Sequence, residues 1–201
     1  MSGKLIVIEG IDGAGSETQS KLLLEFLRKQ NIPAERVYYP DYGSPIGNFI
    51  HDYLHKKQDF SVEMQFLMYA SDMVKDKEKI NKWLEEGKTV ICDRYFTSTL
   101  AYQCMHGFPI NNALNFAEQF GIRKPDIIIF LDILPETSIE RKKEEKKGDM
   151  DRNEENIELQ LRISKEYKRL AEDNVLGKWF VVDGEKTKKE VFEEIKNILE
   201  F

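Results

Sequence analysis

Residues 4–20 read KLIVIEGIDGAGSETQS. An apolar run suited to a buried strand passes into a turn with three glycines, and the turn opens an amphipathic stretch. Strand, glycine-rich turn and helix in that order form a cradle in which backbone N–H groups and the positive end of a helix dipole face an anion. Gly10, Gly13, Ala14 and Gly15 supply the turn, with Ser16, Glu17 and Thr18 at the helix entry. The phosphate-binding pattern G-x-x-x-x-G-K-[ST] places lysine at position 16 and a hydroxyl at position 17. Here those positions hold Ser16 and Glu17, so the backbone cradle is expected without its side-chain cation. Ser16 and Gln19 also have the S-x-x-Q spacing of a helix capping box, a purely structural reading.

The rest of the chain repeats the strand–helix alternation. AERVYY, KTVICD, DIIIFLD and KWFVVD are the other strand candidates, with central runs apolar enough to be covered on both faces. Helical patterns lie between them: residues 18–30, a long stretch over 61–86 ending at Gly87, and residues 156–173 and 189–200. The pattern predicts a three-layer α/β domain with a parallel five-stranded sheet flanked by helices. At 201 residues, with 41% hydrophobic and 33% charged residues, one soluble domain spanning 1–201 is expected. The stretch at 141–156, RKKEEKKGDMDRNEEN, has no apolar face and is read as a solvated loop or a short charged lid over about 141–153.

Composition narrows the function. A net charge of −6 argues against a nucleic-acid surface, and no apolar run reaches membrane-spanning length. With no signal-peptide pattern at the start, a cytoplasmic location is expected. Cys92 and Cys104 are not spaced as a pair, and His51, His55 and His106 form no ligand pattern.

Residues 90–103, VICDRYFTSTLAYQ, carry the second chemical signal. A strand ends in Asp93 and Arg94, where open parallel sheets bind ligands. A carboxylate there can orient Mg²⁺ and its water shell, and a guanidinium can clamp phosphoryl oxygens. Alternatively Asp93 caps the next helix and pairs with Arg94.

Taken together, IEGIDGAG..TQ, YPDYGSPIG, LMYASD, DRYFTSTLAYQ, KPDIIIFLD, DRNEE and VVDGEKTKKEVFEEI resemble the thymidylate kinase family of P-loop nucleoside monophosphate kinases over nearly the whole chain. The resemblance implies a P-loop NTPase-type fold, ATP as phosphoryl donor, Mg²⁺, dTMP as acceptor and a homodimer. It implies that the loop holds the ATP phosphates, that Asp12 contacts the acceptor sugar hydroxyl, and that Arg94 bridges donor and acceptor phosphates. Asp93 stands near Mg²⁺, and Glu9 matches an acidic position lining the cleft. Tyr69 faces the base, while Ser98, Tyr102 and Gln103 form the acceptor face. Gly13 occupies a loop position where some members carry arginine, so the lid is expected to supply the cation. Arg141, Lys142, Lys143, Lys146, Lys147 and Arg152 are the candidates, Arg152 matching best.

Three departures from the family pattern each remove a cation: Ser16 in the loop, Tyr42 where arginine often grips the acceptor phosphate, and Met73 where arginine meets the base. Mg²⁺ ligation then falls to Glu17, Thr18 and Asp93 as candidates. Two alternatives to a dTMP kinase follow from the same residues: a nucleotide-binding paralogue with weak or no transfer, and a kinase for a different nucleoside monophosphate.

Overall fold

The computed structural model describes residues 3–146, 151–154 and 156–200. Strand β1 (Leu5–Gly10) is buried along its whole length, as its apolar run requires. It pairs in parallel with β3 (Thr89–Asp93) and β4 (Ile127–Asp132). The outer strands are β2 (Ala34–Tyr38) and β5 (Lys178–Asp183), and the sheet order is β2-β3-β1-β4-β5. The predicted α/β fold with a parallel five-stranded sheet is therefore present. Its register sets Ile8 beside Asp93 and Gly10 beside Leu131. The carboxyl ends of the three central strands thus converge, and because β1 leads toward β2 while its neighbour β4 leads the opposite way to β5, a crevice opens there.

Helices α1 (Ser16–Lys29) and α9 (Lys188–Ile198) share one face, joined by an edge-on pair of Phe26 and Phe192. Helix α8 (Ile157–Glu172) packs on β4 and β5, and Tyr167 stacks on Phe130 at 5.1 Å. Helix α2 (Pro45–Leu54), whose Ser44 side chain caps Gly47, and α3 (Val62–Val74) enclose a small satellite core of Ile50, Tyr53, Leu54 and Met68. Helix α6 (Ile110–Gln119) buries Ala113 and Ala117.

Three local expectations are corrected. The stretch 61–86 is two helices, because α3 ends at Val74 and α4 (Lys77–Glu85) starts after Asp76. At the break the Lys75 ammonium is held by Asp41, Asp72 and Asp76 at 3.2, 3.1 and 2.6 Å. That tertiary clasp leaves no trace in the hydrophobic period. The Ser16/Gln19 capping box does not form. Gly15 is the N-cap, with φ 96°, and Ser16 is already helical; only a residue tolerant of left-handed φ makes that entry without strain. A capping box does form at Thr187 and Glu190. Finally, residues 141–146 are not loop but the end of α7 (Pro135–Lys146). Residues 147–150 of the expected lid, Lys147 included, and the Lys146 side chain lie outside the described residues.

Candidate active site

The chain after β1 bends tightly over α7. Gly13, at φ 77°, brings the backbone so close to Ser138 that an added Cβ would lie 2.9 Å from its carbonyl oxygen. Ser138 also donates to the Asp12 carbonyl at 2.5 Å, and Arg141 donates to the carbonyls of Gly13 and Gly184. Gly13, Ala14, Gly15, Ser16, Glu17 and Thr18 line an open cleft of about 1050 Å³ that also touches Asp93, Arg94, Arg141, Lys142 and the start of α9. Gly10 does not line it; its carbonyl accepts from Arg94 at 2.9 Å.

A second cavity lies alongside, lined by Tyr39, Tyr42, Tyr69, Asp72, Met73, Ser98, Tyr102 and Gln103 among others. Helix α5 (Phe96–Thr99) runs into a π-helical turn, Leu100–Cys104, that carries Tyr102 and Gln103. Such turns re-aim side chains within a continuous helix. Gln103 is buried, and its Oε1 has no partner in the protein. An unpaired buried acceptor is costly, so this atom is set for a ligand N–H. Met73 is buried at the pocket wall, whereas Tyr42 is exposed at its rim.

Asp12, Tyr42, Arg94 and Asp151 line both cavities. The Arg94 guanidinium meets Asp12 at 2.7 Å, and Asp12 also accepts from Gln160 at 3.2 Å and Tyr102 at 3.4 Å. Despite burial, the carboxylate and phenol oxygens around Arg94 hold its pKa well above the ordinary arginine value; it is a permanent cation. Asp151 moves the other way, its carboxyl raised by burial and by the facing Asp12 and Glu154.

The structure moves several expected site residues elsewhere. Glu9 lines neither cavity. It is fully buried beneath the loop and accepts from Tyr95 N–H at 3.0 Å, Ser98 N–H at 3.2 Å and Tyr167 OH at 2.9 Å, and from the hydroxyls of Thr97 and Ser98. In this geometry it braces the turn after β3. Ser98 lines the second cavity, yet its hydroxyl is occupied by Glu9 and Tyr167. The Glu17 carboxylate is exposed and turned to Lys21 at 2.5 Å, so it is not aimed as a metal ligand. Arg152 lines neither cavity. It lies 4.0 Å over the Tyr53 ring, pairs with Asp59 at 2.9 Å and donates to the Gln58 carbonyl. An aromatic face and a carboxylate hold this cation away from both cavities. The Lys142 ammonium, pulled down by burial but raised further by Glu145 and Glu154, is clasped by those carboxylates.

Sequence reasoning missed Asp151, which lines both cavities, and three residues from more distant elements. Arg36, in the middle of β2, reaches the cleft lined by Gly13–Thr18 and pairs with Asp93 at 2.6 Å. Gln160 holds Asp12 from α8, and Tyr167 caps the Glu9 cluster. Each of these three faces the site from a distant element, so no local motif flags it.

Burial raises the Glu9 pKa above its ordinary 4.5, with hydrogen bonds from Ser98 and Thr97 opposing the shift. The folded state therefore binds a proton that the unfolded state releases, and stability from this group falls as pH rises from about 4.5 through the folded pKa. Glu9→Gln does not titrate. In urea titrations at successive pH values, the native-minus-variant difference in stability should decline as pH rises across that window. A difference independent of pH would show that Glu9 keeps an ordinary pKa.

Beside Ser16, Asp93 is the carboxylate of the cleft floor. Burial raises its pKa, and a hydrogen bond from Ser16 and the charges of Arg94 and Arg36 oppose the rise. Among the described residues no three His, Cys, Asp or Glu side chains converge as a metal cage. One carboxylate with neighbouring hydroxyls nonetheless fits Mg²⁺, which keeps waters and shares its remaining ligands with substrate phosphates.

A glycine turn delivering a helix N-terminus to one cavity, a second cavity with an unpaired amide oxygen, and a guanidinium between them define a nucleotide phosphotransferase of the P-loop class. Comparison with known proteins is specific. The family model for thymidylate kinase matches residues 8–195. Thymidylate kinase of Carboxydothermus hydrogenoformans is 36% identical over 207 residues, covering 100% of this chain and 98% of that protein. The human thymidylate kinase is 31% identical, covering 98% and 90%. The structure of thymidylate kinase from Candida albicans aligns with a TM-score of 0.78 at 25% identity, covering 99% of this chain and 92% of that one. The chain belongs to the thymidylate kinase family.

Proposed function

We propose that this protein transfers the γ-phosphoryl group of ATP to dTMP, giving dTDP and ADP. The observation that carries this reading is Arg94, whose side chain borders both cavities. Donor phosphates lie along Gly13–Thr18 and the amino end of α1, the acceptor phosphate reaches Arg94 from the other side, and its oxygen attacks in line. No protein nucleophile is needed; position and charge lower the barrier. Asp12, oriented by Gln160 and Tyr102, is placed toward the acceptor sugar. The unpaired Gln103 Oε1 accepts from the base N–H, and Tyr69 and Met73 form the apolar wall beside it. When bound, Mg²⁺ neutralises phosphate charge, and Asp93 with the Thr18 hydroxyl would hold it through its water shell. Arg141, tied to the carbonyls of Gly13 and Gly184, fixes the loop from the α7 side.

The supply of dTTP precursors is the corresponding role, in the cytoplasm and as a homodimer. Exposed Met64 and Leu67 on α3 are available to such an interface. No helix among the described residues is long and apolar enough to cross a membrane. In a coupled ADP-release assay with ATP and Mg²⁺ over the common nucleoside monophosphates, turnover is expected with dTMP in clear preference to the others. Preference for another acceptor would transfer the reading to that nucleotide. Tight nucleotide binding without turnover would overturn it.

A further inference from the structure

The phosphate loop has Ser16 where its family places lysine, and among the described residues several cations expected to compensate are held by other partners. Arg152 is anchored on Tyr53 and Asp59, Lys142 on Glu145 and Glu154, and Lys21 on Glu17. Arg141 donates to two backbone carbonyls, and Arg94, held by Gly10 and Asp12, stands between the two cavities rather than at position 16.

A different guanidinium enters from the opposite edge of the cleft. Arg36 leaves β2 toward α1, donating from Nε to the Ser20 hydroxyl at 2.7 Å and from Nη2 to Asp93 Oδ2 at 2.6 Å. Ser20 lies one turn after Ser16 on α1, and Ser16 acts on the Asp93 carboxyl to oppose the rise in its pKa. Arg36 is therefore tied to the carboxylate beneath position 16, and it lines the cleft with Gly13–Thr18. Only 12% of its side chain is exposed, so its position is fixed by packing instead of floating in solvent. Two of its five N–H donors are engaged by Ser20 and Asp93, and the planar fork has further donors for phosphoryl oxygens.

We infer that Arg36 supplies, from β2, the positive charge that Ser16 leaves out of the loop, and that it binds the β- and γ-phosphates of the nucleotide triphosphate. This rests on the reading of the Gly13–Thr18 cleft as the donor site. A small residue at 16 is part of the same arrangement: the serine hydroxyl fits against Asp93 beside the guanidinium, where a lysine would compete for the same carboxylate. The loop is thus not stripped of its cation; the cation arrives from another strand.

Binding of ATP and of AMP, measured by calorimetry, separates this role from a structural one, because AMP lacks the β- and γ-phosphates. For Arg36→Met the ATP affinity should fall by about tenfold or more relative to AMP, and kcat by about 100-fold. Arg36→Lys should recover part of both. In a Ser16→Lys background, where a second cation reaches the phosphates, the kcat loss from Arg36→Met should shrink by about tenfold. Equal weakening of ATP and AMP, or the same kcat loss in both backgrounds, would overturn the inference and leave Arg36 as a prop for Asp93. If Arg36→Met does not fold, Arg36→Lys and Arg36→Gln carry the ATP-against-AMP comparison, and an unchanged ratio in both overturns it. Failure of dTMP turnover with ATP binding intact would sink the acceptor assignment alone, since the ATP-against-AMP ratio still decides the role of Arg36.

Discussion

Arg94→Met is expected to lower kcat for phosphotransfer by about a thousandfold, some 4 kcal/mol of transition-state stabilisation. The guanidinium lies between the two cavities, held by the Gly10 carbonyl and Asp12, and it neutralises charge where donor and acceptor phosphates meet. Methionine keeps the unbranched stem of the side chain and removes the guanidinium and its charge. Because the interaction is made chiefly in the transition state, kcat should fall far more than either KM rises. Arg94→Lys should restore only part of the loss, since an ammonium cannot bridge two phosphoryl groups in one plane. Stability should change by about 1–2 kcal/mol, the cost of leaving Asp12 without its partner. A kcat within tenfold of native would remove Arg94 from the phosphoryl path.

Glu9→Leu is the second large effect, and it acts on the fold. The carboxylate accepts from the backbone N–H groups of Tyr95 and Ser98 and from the hydroxyls of Thr97, Ser98 and Tyr167. Leucine fills most of the space but leaves those buried donors unpaired, so unfolding free energy should drop by about 3–5 kcal/mol. That is a large share of the stability of a typical domain. The same donors form the turn after Arg94, whose φ of 62° is a left-handed conformation for a non-glycine residue and costs about 1–3 kcal/mol unless its surroundings impose it. Loss of the brace should therefore also lower kcat in whatever folded protein remains. Urea midpoints for Glu9→Leu matching those of the native chain would show that the donors find other partners. Glu9→Gln, which retains one carbonyl acceptor, should lie between native and Glu9→Leu.

The alternation of apolar strands with amphipathic helices carried the fold class, because a buried parallel strand has few ways to be written. The glycine turn and the DRY segment were legible as binding elements for the same reason: Gly13 and Gly15 sit at positive φ, and a carboxylate and guanidinium close a buried strand. The direction of each side chain was not legible. Glu9 looked like a cleft residue because it ends β1 beside the glycines, yet the strand pleat and Tyr167 of α8 draw it into the core. Arg152 looked like a lid cation because DRNE matches the family's motif best, but Tyr53 and Asp59 hold it. The α3–α4 break at Lys75 depends on Asp41, thirty-four positions away in sequence, which no period of 3.6 contains.

By itself, then, the sequence determined the sheet, the loop, the adjacency of Asp93 and Arg94 at the end of β3, and the absence of lysine from position 16; their partners, Arg36 for Asp93 and Asp12 for Arg94, were not determined by it. The tertiary structure alone decided which cations face the loop. Side-chain charge is written locally, but its destination depends on which carboxylates, rings and carbonyls the fold brings within a few ångströms. For Arg36 that partner is Asp93, on the adjacent strand and fifty-seven residues away.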